Sequence, residues 1–207
     1  MESKSFEEIK PLIIRRRTIG IAGSALWMIA ISACFLIWSL AVIGSLWAEI
    51  TLVITIIVIT VLTIFSIFSI KAAIKLPKDP PRKTNRQKKI GLLFVLVVFL
   101  EVAAISIVAS IATSSGNSDM IPSLALIIVG IHFFPLAIIF HVPRYYLTGL
   151  LFCAIPAAML LFVSKGYVIG DVQAWYILPS LGCGIVALLT AAANLHEVAR
   201  TFSELKA

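Results

Sequence analysis

The 207-residue sequence is 60% hydrophobic and 13% charged, with a mean hydropathy of +1.07, whereas an ordinary soluble domain is about half apolar and about a quarter charged. A soluble core of this length cannot hide so much apolar surface, but a bilayer accepts it on the outside of a helix bundle. The formal net charge of +7 would suggest nucleic acid in a soluble domain; here the charges fall between apolar runs, so the expected partner is the lipid bilayer and not nucleic acid.

Near the N-terminus Arg15, Arg16 and Arg17 precede an apolar stretch from Thr18 to Val42. That stretch is longer than the roughly 7–15 residues of a signal-peptide core, so it reads as an uncleaved first span. Further runs able to cross about 30 Å of hydrocarbon, which takes roughly 20 residues, complete a series at 18–42, 50–71, 90–113, 121–141, 146–164 and 174–195. The breaks carry turn chemistry: Gly44 and Ser45, a polar segment with Pro77, Pro80 and Pro81, Gly116, Val142 with Pro143, and 166–171. The prediction is an all-α polytopic bundle of six transmembrane helices, one membrane domain over 1–207.

Five Lys and Arg precede the first span, eight lie in or beside the 72–89 loop, Arg144 follows the fourth span and two follow the sixth, whereas the opposite side has Lys165 alone. The positive-inside rule therefore predicts both termini in the cytoplasm of a plasma membrane protein. The basic 72–89 loop is expected to be a solvated connector, with anionic lipid head groups as its candidate partner. Trp47 and Trp175 are expected at the outer interface, while Trp27 and Trp38 lie within the first span. Glu49, Asp119 and Asp171 fall on the same outer side, as ordinary loop polarity or a cation-attracting rim.

In the second span Thr51, Thr55, Ser66 and Ser69 form a weak hydroxyl stripe at 100° per residue, suited to back-bonding, to a neighbouring helix or to a wet pore. Cys34, Cys153 and Cys183 stand singly in apolar runs and read as packing residues, without disulfide or zinc spacing. Gly182 and Gly184, with Ser180, Ala187 and Ala191, give the sixth span a small-residue face for close packing.

Glu101 is the most informative residue, because an ionisable group inside a span usually faces the bundle interior or a water-filled path. It sits about 16 Å into the third helix at 1.5 Å per residue, near the midplane. Its own helical neighbours are apolar, so it needs a partner from another helix or must carry a proton. His132, at matching depth in the antiparallel fourth helix, is the candidate, and the two form a candidate proton- or ion-handling pair. The alternative is two neutral side chains, each hydrogen-bonded to a hydroxyl or the backbone. Pro135 and Pro156 are predicted helix kinks within the fourth and fifth spans.

A second polar group gathers at the cytoplasmic face: His141, Arg144, Tyr145 and Tyr146 after the fourth span, and Asn194, His196, Glu197 and Arg200 at the end of the sixth. Glu197 can pair with Arg144 or Arg200, giving a salt-bridged cap, with a gate or anion site as the other reading. His196 and Glu197 begin a zincin-type motif, but Arg200 stands where the second ligand must be, so no metal is expected.

Gly130, His132, Phe133, Pro135, Leu136 and Ala137, followed by Pro143, Tyr145, Tyr146, Thr148 and Gly149, resemble a Gly-x-His-Phe-x-Pro-Leu-Ala and Pro-x-Tyr-Tyr-x-Thr-Gly pattern of uncharacterised bacterial multi-pass membrane proteins. The resemblance implies bacterial origin, a helical bundle and interest in His132, and names no substrate.

Three functions fit these residues. A small transporter or channel would use Glu101 and His132 on a proton or cation; a non-catalytic membrane protein would assemble with a partner or with itself, or modulate an envelope or lipid system. An intramembrane enzyme fits least, since no Ser-His-Asp order, metal-ligand spacing or phosphate loop is visible, and no cofactor is expected.

Overall fold

A computed structural model describes residues 2–43, 45–76, 85–169 and 172–206. Six α-helices occupy almost all of them: α1 (Glu2–Ile43), α2 (Leu46–Ile74), α3 (Asn85–Ser114), α4 (Ile121–Phe140), α5 (Arg144–Phe162) and α6 (Ala174–Lys206). Six segments are long and apolar enough to cross a bilayer, one per helix, the fourth including the short turn before α4: Thr18–Ile43, Ala48–Ile74, Lys89–Ser114, Ser118–Phe140, Arg144–Phe162 and Ala174–Ser203. The expected all-α bundle is therefore present, with boundaries a few residues from those read in the sequence. As whole helices the largest departures are α1, which already runs from Glu2, well before the expected start at residue 18, and α6, which continues past residue 195 to Lys206.

The connections follow local chemistry. Ser45 caps α2 by accepting from the Ala48 N–H. Gly116, at a φ of 69°, reverses the chain after α3 while the Asn117 N–H bonds the Ala112 carbonyl, and a short 3-10 turn (Ser118–Met120) leads into α4. His141 ends α4 in the left-handed conformation, at a φ of 55°, with its own N–H and that of Val142 both on the Ala137 carbonyl. Between α5 and α6 lies an antiparallel ribbon of β1 (Val168–Ile169) and β2 (Val172–Gln173), which the sequence reading did not anticipate. Residues 77–84 of the basic loop, and Asp171, lie outside the described residues.

Successive helices run antiparallel, so both chain ends lie at one end of the bundle, hereafter the terminal end. Helix α6 is the hub: it packs on α1, α5, α4 and α2, while α2 rests mainly on α1 and α3 mainly on α4. Hydroxyl and amide side chains tie these seams together. Ser32 donates to the Gly184 carbonyl at 2.9 Å, Ser66 to the Ala22 carbonyl at 2.8 Å, and Asn194 Nδ2 to Ser24 at 3.2 Å. Thr148 and Thr190 share a hydrogen bond of 2.9 Å between α5 and α6. Part of the hydroxyl stripe of the second span is thus explained by packing: Ser66 and Ser69 are buried, while Thr51 is exposed.

Glycines allow the closest crossings. A Cβ on Gly130 would stand 2.6 Å from the Cys153 sulfur and one on Gly149 would stand 2.7 Å from the Gly130 carbonyl, so α4 and α5 touch backbone to backbone. Gly182 and Gly184 play the same part against Ile155 of α5 and Leu36 of α1. Cys153 and Cys183 pack inside as expected, but Cys34 is exposed.

Prolines also stand within the membrane-spanning segments of α4, α5 and α6. Pro135, Pro156 and the unanticipated Pro179 lie inside α4, α5 and α6. Pro179 has no N–H for the Trp175 carbonyl four residues back; Ser123 of α4 donates to that carbonyl instead, at 3.4 Å. Trp175 itself corrects the expectation of an interfacial anchor. It is 7% exposed and donates from its indole to the Val163 carbonyl at the end of α5, pinning the α5–α6 turn. The side chain of Trp47 lies outside the described residues.

The α4–α5 crossing yields a stability test. Gly149→Val drives two methyl groups into the Gly130 carbonyl and Phe133, and overpacking of this kind costs about 3 kcal/mol. It is expected to lower the thermal unfolding midpoint in neutral detergent clearly, whereas Gly91→Ala, whose Cβ meets nothing within 4 Å, leaves it unchanged or slightly raised.

Candidate functional site

The side chains singled out by chemistry converge on one cavity of about 2000 Å³, bounded by α1, α3, α4 and α6 and by the start of α5. It exists because α3 leans on α4 and forms no comparable seam with α1. The cavity reaches from the terminal end to about mid-depth.

Glu101 and His132 form its inner wall. Phe94 of α3 packs edge-on against Phe140 of α4, with ring centroids 5.8 Å apart, and two turns further along the same seam the Glu101 carboxylate Oε1 lies 3.4 Å from His132 Nδ1. The two side chains are only 15% and 11% exposed. The same Nδ1 is 2.7 Å from the Val129 carbonyl. A carbonyl only accepts, so Nδ1 bears a proton shared between Val129 and Glu101, and in the neutral ring Nε2 is the lone-pair nitrogen. The pair can thus take up a proton at Nε2, with the Glu101 carboxylate beside the resulting imidazolium.

The mouth at the terminal end is ionic. Arg144, the first residue of α5, forms an ion pair with Glu197 of α6. His141, His196 and Arg200 line the same opening and are exposed. Helix α6 presents His196, Glu197 and Arg200 together because they fall within about one turn. Of the two partners open to Glu197 in the sequence, the structure selects Arg144.

Not every candidate joins the cavity. Asn194 is fully buried and belongs to the α1–α6 seam through Ser24; its Oδ1 has no hydrogen-bond partner among the described residues. Tyr145 touches the cavity but is 3% exposed, its ring 5.9 Å from Phe133, which in turn meets Phe152 at 5.5 Å. Pro135 and Pro156 do not line the cavity; Pro156 is core. At the opposite end Lys165 bonds Asn117 at 2.9 Å and pairs with Asp119 at 3.3 Å. No group of three or more His, Cys, Asp or Glu able to hold a metal occurs among the described residues.

Gly20, Gly23, Ser24, Trp27 and Ile31 of α1 form the wall facing α3. The sequence reading missed them as a site, although their spacing of three and four is a helical stripe. No protein-family model, no curated protein and no solved structure matches the chain.

The hydrogen-bond geometry fixes a tautomer. In 15N spectra of histidine-labelled protein, neutral His132 is expected to carry its proton on Nδ1, with a pyridine-type Nε2 signal. A protonated Nε2 beside a bare Nδ1 would contradict the bond to Val129.

Proposed function

We propose that the chain is a multi-pass protein of the plasma membrane with both termini in the cytoplasm, and that it is a small carrier in which the Glu101–His132 pair handles a proton or cation. The observation that carries the reading is the position of this pair at mid-depth on the wall of a cavity whose other end opens at the basic, ionic mouth. An ionisable pair at such depth is costly unless it lines a polar path or changes its protonation in use. The placement of Lys and Arg supports the orientation, since all but Lys165 lie in segments on the side of the termini. The short resemblance of residues 130–149 to bacterial membrane proteins makes a bacterial plasma membrane the proposed setting.

A proton entering from the mouth reaches Nε2 of His132, and the imidazolium so formed is balanced by Glu101. The loaded site is then a neutral ion pair in place of a lone carboxylate, which limits its desolvation cost. Rearrangement of α3, the least embedded helix, against α4 would expose the pair to the other side.

A second reading, a non-catalytic subunit assembled with a membrane partner, draws on the weak attachment of α3, since a partner helix could seat between α1 and α3. It predicts stable co-purification with another membrane protein.

The test is flux in proteoliposomes, with an internal pH dye and a panel of cation gradients, comparing wild type with Glu101→Gln and His132→Ala at matched folded levels. Glu101→Gln is expected to lower flux by about 100-fold, the scale of losing a positioned acid–base group, while the unfolding midpoint stays close to wild type. Wild-type flux in both variants sinks the carrier mechanism, and no flux in any sample favours the partner reading.

A further inference from the structure

A proton or a bare cation needs a narrow path, yet the cavity measures about 2000 Å³, above the roughly 300–1,000 Å³ of ordinary small-molecule pockets. Its walls differ along its length. Between the mouth and the Glu101–His132 pair they are apolar, with Trp27, Ile31, Phe35, Phe94 and Val98. At the mouth they are cationic: Arg200 makes no ion pair among the described residues, His196 and His141 stand beside it, and the acid present there, Glu197, is held by Arg144.

Two glycines point the same way. Glycine inside a helix is less favourable than alanine by about 1 kcal/mol, and Gly130, Gly149, Gly182 and Gly184 justify this by close packing. Gly20 and Gly23 do not, because a Cβ on either meets nothing within 4 Å. Both lie on the cavity wall, so their effect is to keep that wall recessed. Beside them Trp27 is 66% exposed, at the edge of the slot where α1 and α3 fail to meet.

We propose that this cavity binds an anionic amphiphile, a molecule with one phosphate- or carboxylate-type head and a long apolar tail, which enters through the α1–α3 slot from the leaflet at the terminal end. The head sits at Arg200 and His196 and the tail lies along Trp27 and Phe94. The inference rests on the carrier reading for the role of the cavity and names the class of its cargo. A charge-assisted contact to the guanidinium fixes the head, while the apolar tail favours a membrane lipid over a soluble anion of the same head chemistry.

The test uses the full chain in neutral maltoside micelles and reads quenching of Trp27 as the difference between wild type and Trp27→Phe. The probes are phosphatidylglycerol and phosphatidylcholine with brominated acyl chains, and inorganic phosphate as competitor. Phosphatidylglycerol is expected to half-quench Trp27 at about tenfold lower mole fraction than phosphatidylcholine, equivalent to one charge-assisted contact. Arg200→Ala with His196→Ala, at exposed positions, is expected to remove that preference, and Gly23→Phe or Gly20→Leu to reduce the Trp27 component by occupying the recess beside it. Equal quenching by both lipids, a preference that survives the Arg200 and His196 changes, or displacement by millimolar phosphate would overturn the proposal, the last in favour of a soluble anion. Because binding is read without a gradient, its outcome separates from the flux assay. Head-group preference with no flux removes the carrier and keeps the amphiphile site; flux with no preference does the reverse.

Discussion

In a hydrocarbon setting the apolar surface of a helix gains nothing by leaving lipid for a neighbouring helix, so the arrangement of this bundle depends on close backbone approach and on hydrogen bonds between helices. Both devices concentrate on α6. Ser32 reaches its Gly184 carbonyl, Ser123 takes the Trp175 carbonyl released by Pro179, and Thr148 bonds Thr190. Each satisfies a polar group that lipid cannot, and together they hold α1, α4 and α5 around α6. Helix α3 has none of these ties to the hub. Its hydroxyls on Ser106, Ser110 and Thr113 turn back to their own helix carbonyls, so its position follows mainly from α4.

That difference in attachment is what makes a cavity. If α3 packed on α1, the Glu101 carboxylate would be sealed in a dry seam and would need a full complement of partners. As the helices stand, Glu101 shares one imidazole N–H and lines the cavity. The aromatic contact of Phe94 with Phe140 and the Glu101–His132 contact are two points on one α3–α4 seam. The seam is therefore both the mechanical joint of the least embedded helix and the place where its charge chemistry sits, so a change in protonation acts directly on the contact that positions α3.

How far the sequence disclosed this follows from what each signal reports. Span number and the clustering of Lys and Arg are sums over many residues, and six apolar helices appear where the runs predicted them. The matching depth of Glu101 and His132 was legible because depth in an antiparallel pair can be counted at 1.5 Å per residue. Which faces meet was not legible, since helices apolar on all sides have no amphipathic period to orient them. Trp175 therefore reads as an interfacial aromatic until the α5–α6 turn supplies the Val163 carbonyl, and Asn194 reads as part of the mouth until Ser24 of α1 is seen beside it. The cavity was harder still, because an absence of contact between α1 and α3 leaves no mark in composition; only the spacing of Gly20, Gly23 and Trp27 hinted at a face kept small.

The mouth and the mid-depth pair are distinct in the sequence but share one volume, and that has an energetic consequence. His132 lies about nine residues along α4 from His141, a separation of about 14 Å. A unit charge at the mouth acts on a unit charge at the pair by about 1 kcal/mol for an effective dielectric constant near 20, which corresponds to about a fivefold change in an equilibrium constant. An anion bound at Arg200, as proposed, would thus favour a proton on the pair, and by linkage a proton on the pair would favour the anion to the same extent. The sign is the one a symporter requires, with loading of each ligand assisting the other. The size matters as well: a coupling of about 1 kcal/mol would bias joint loading without locking either ligand in place. Pairing of Glu197 with Arg144 leaves this coupling unchanged and acts on affinity instead, because an uncompensated carboxylate at the mouth would repel an anion from Arg200.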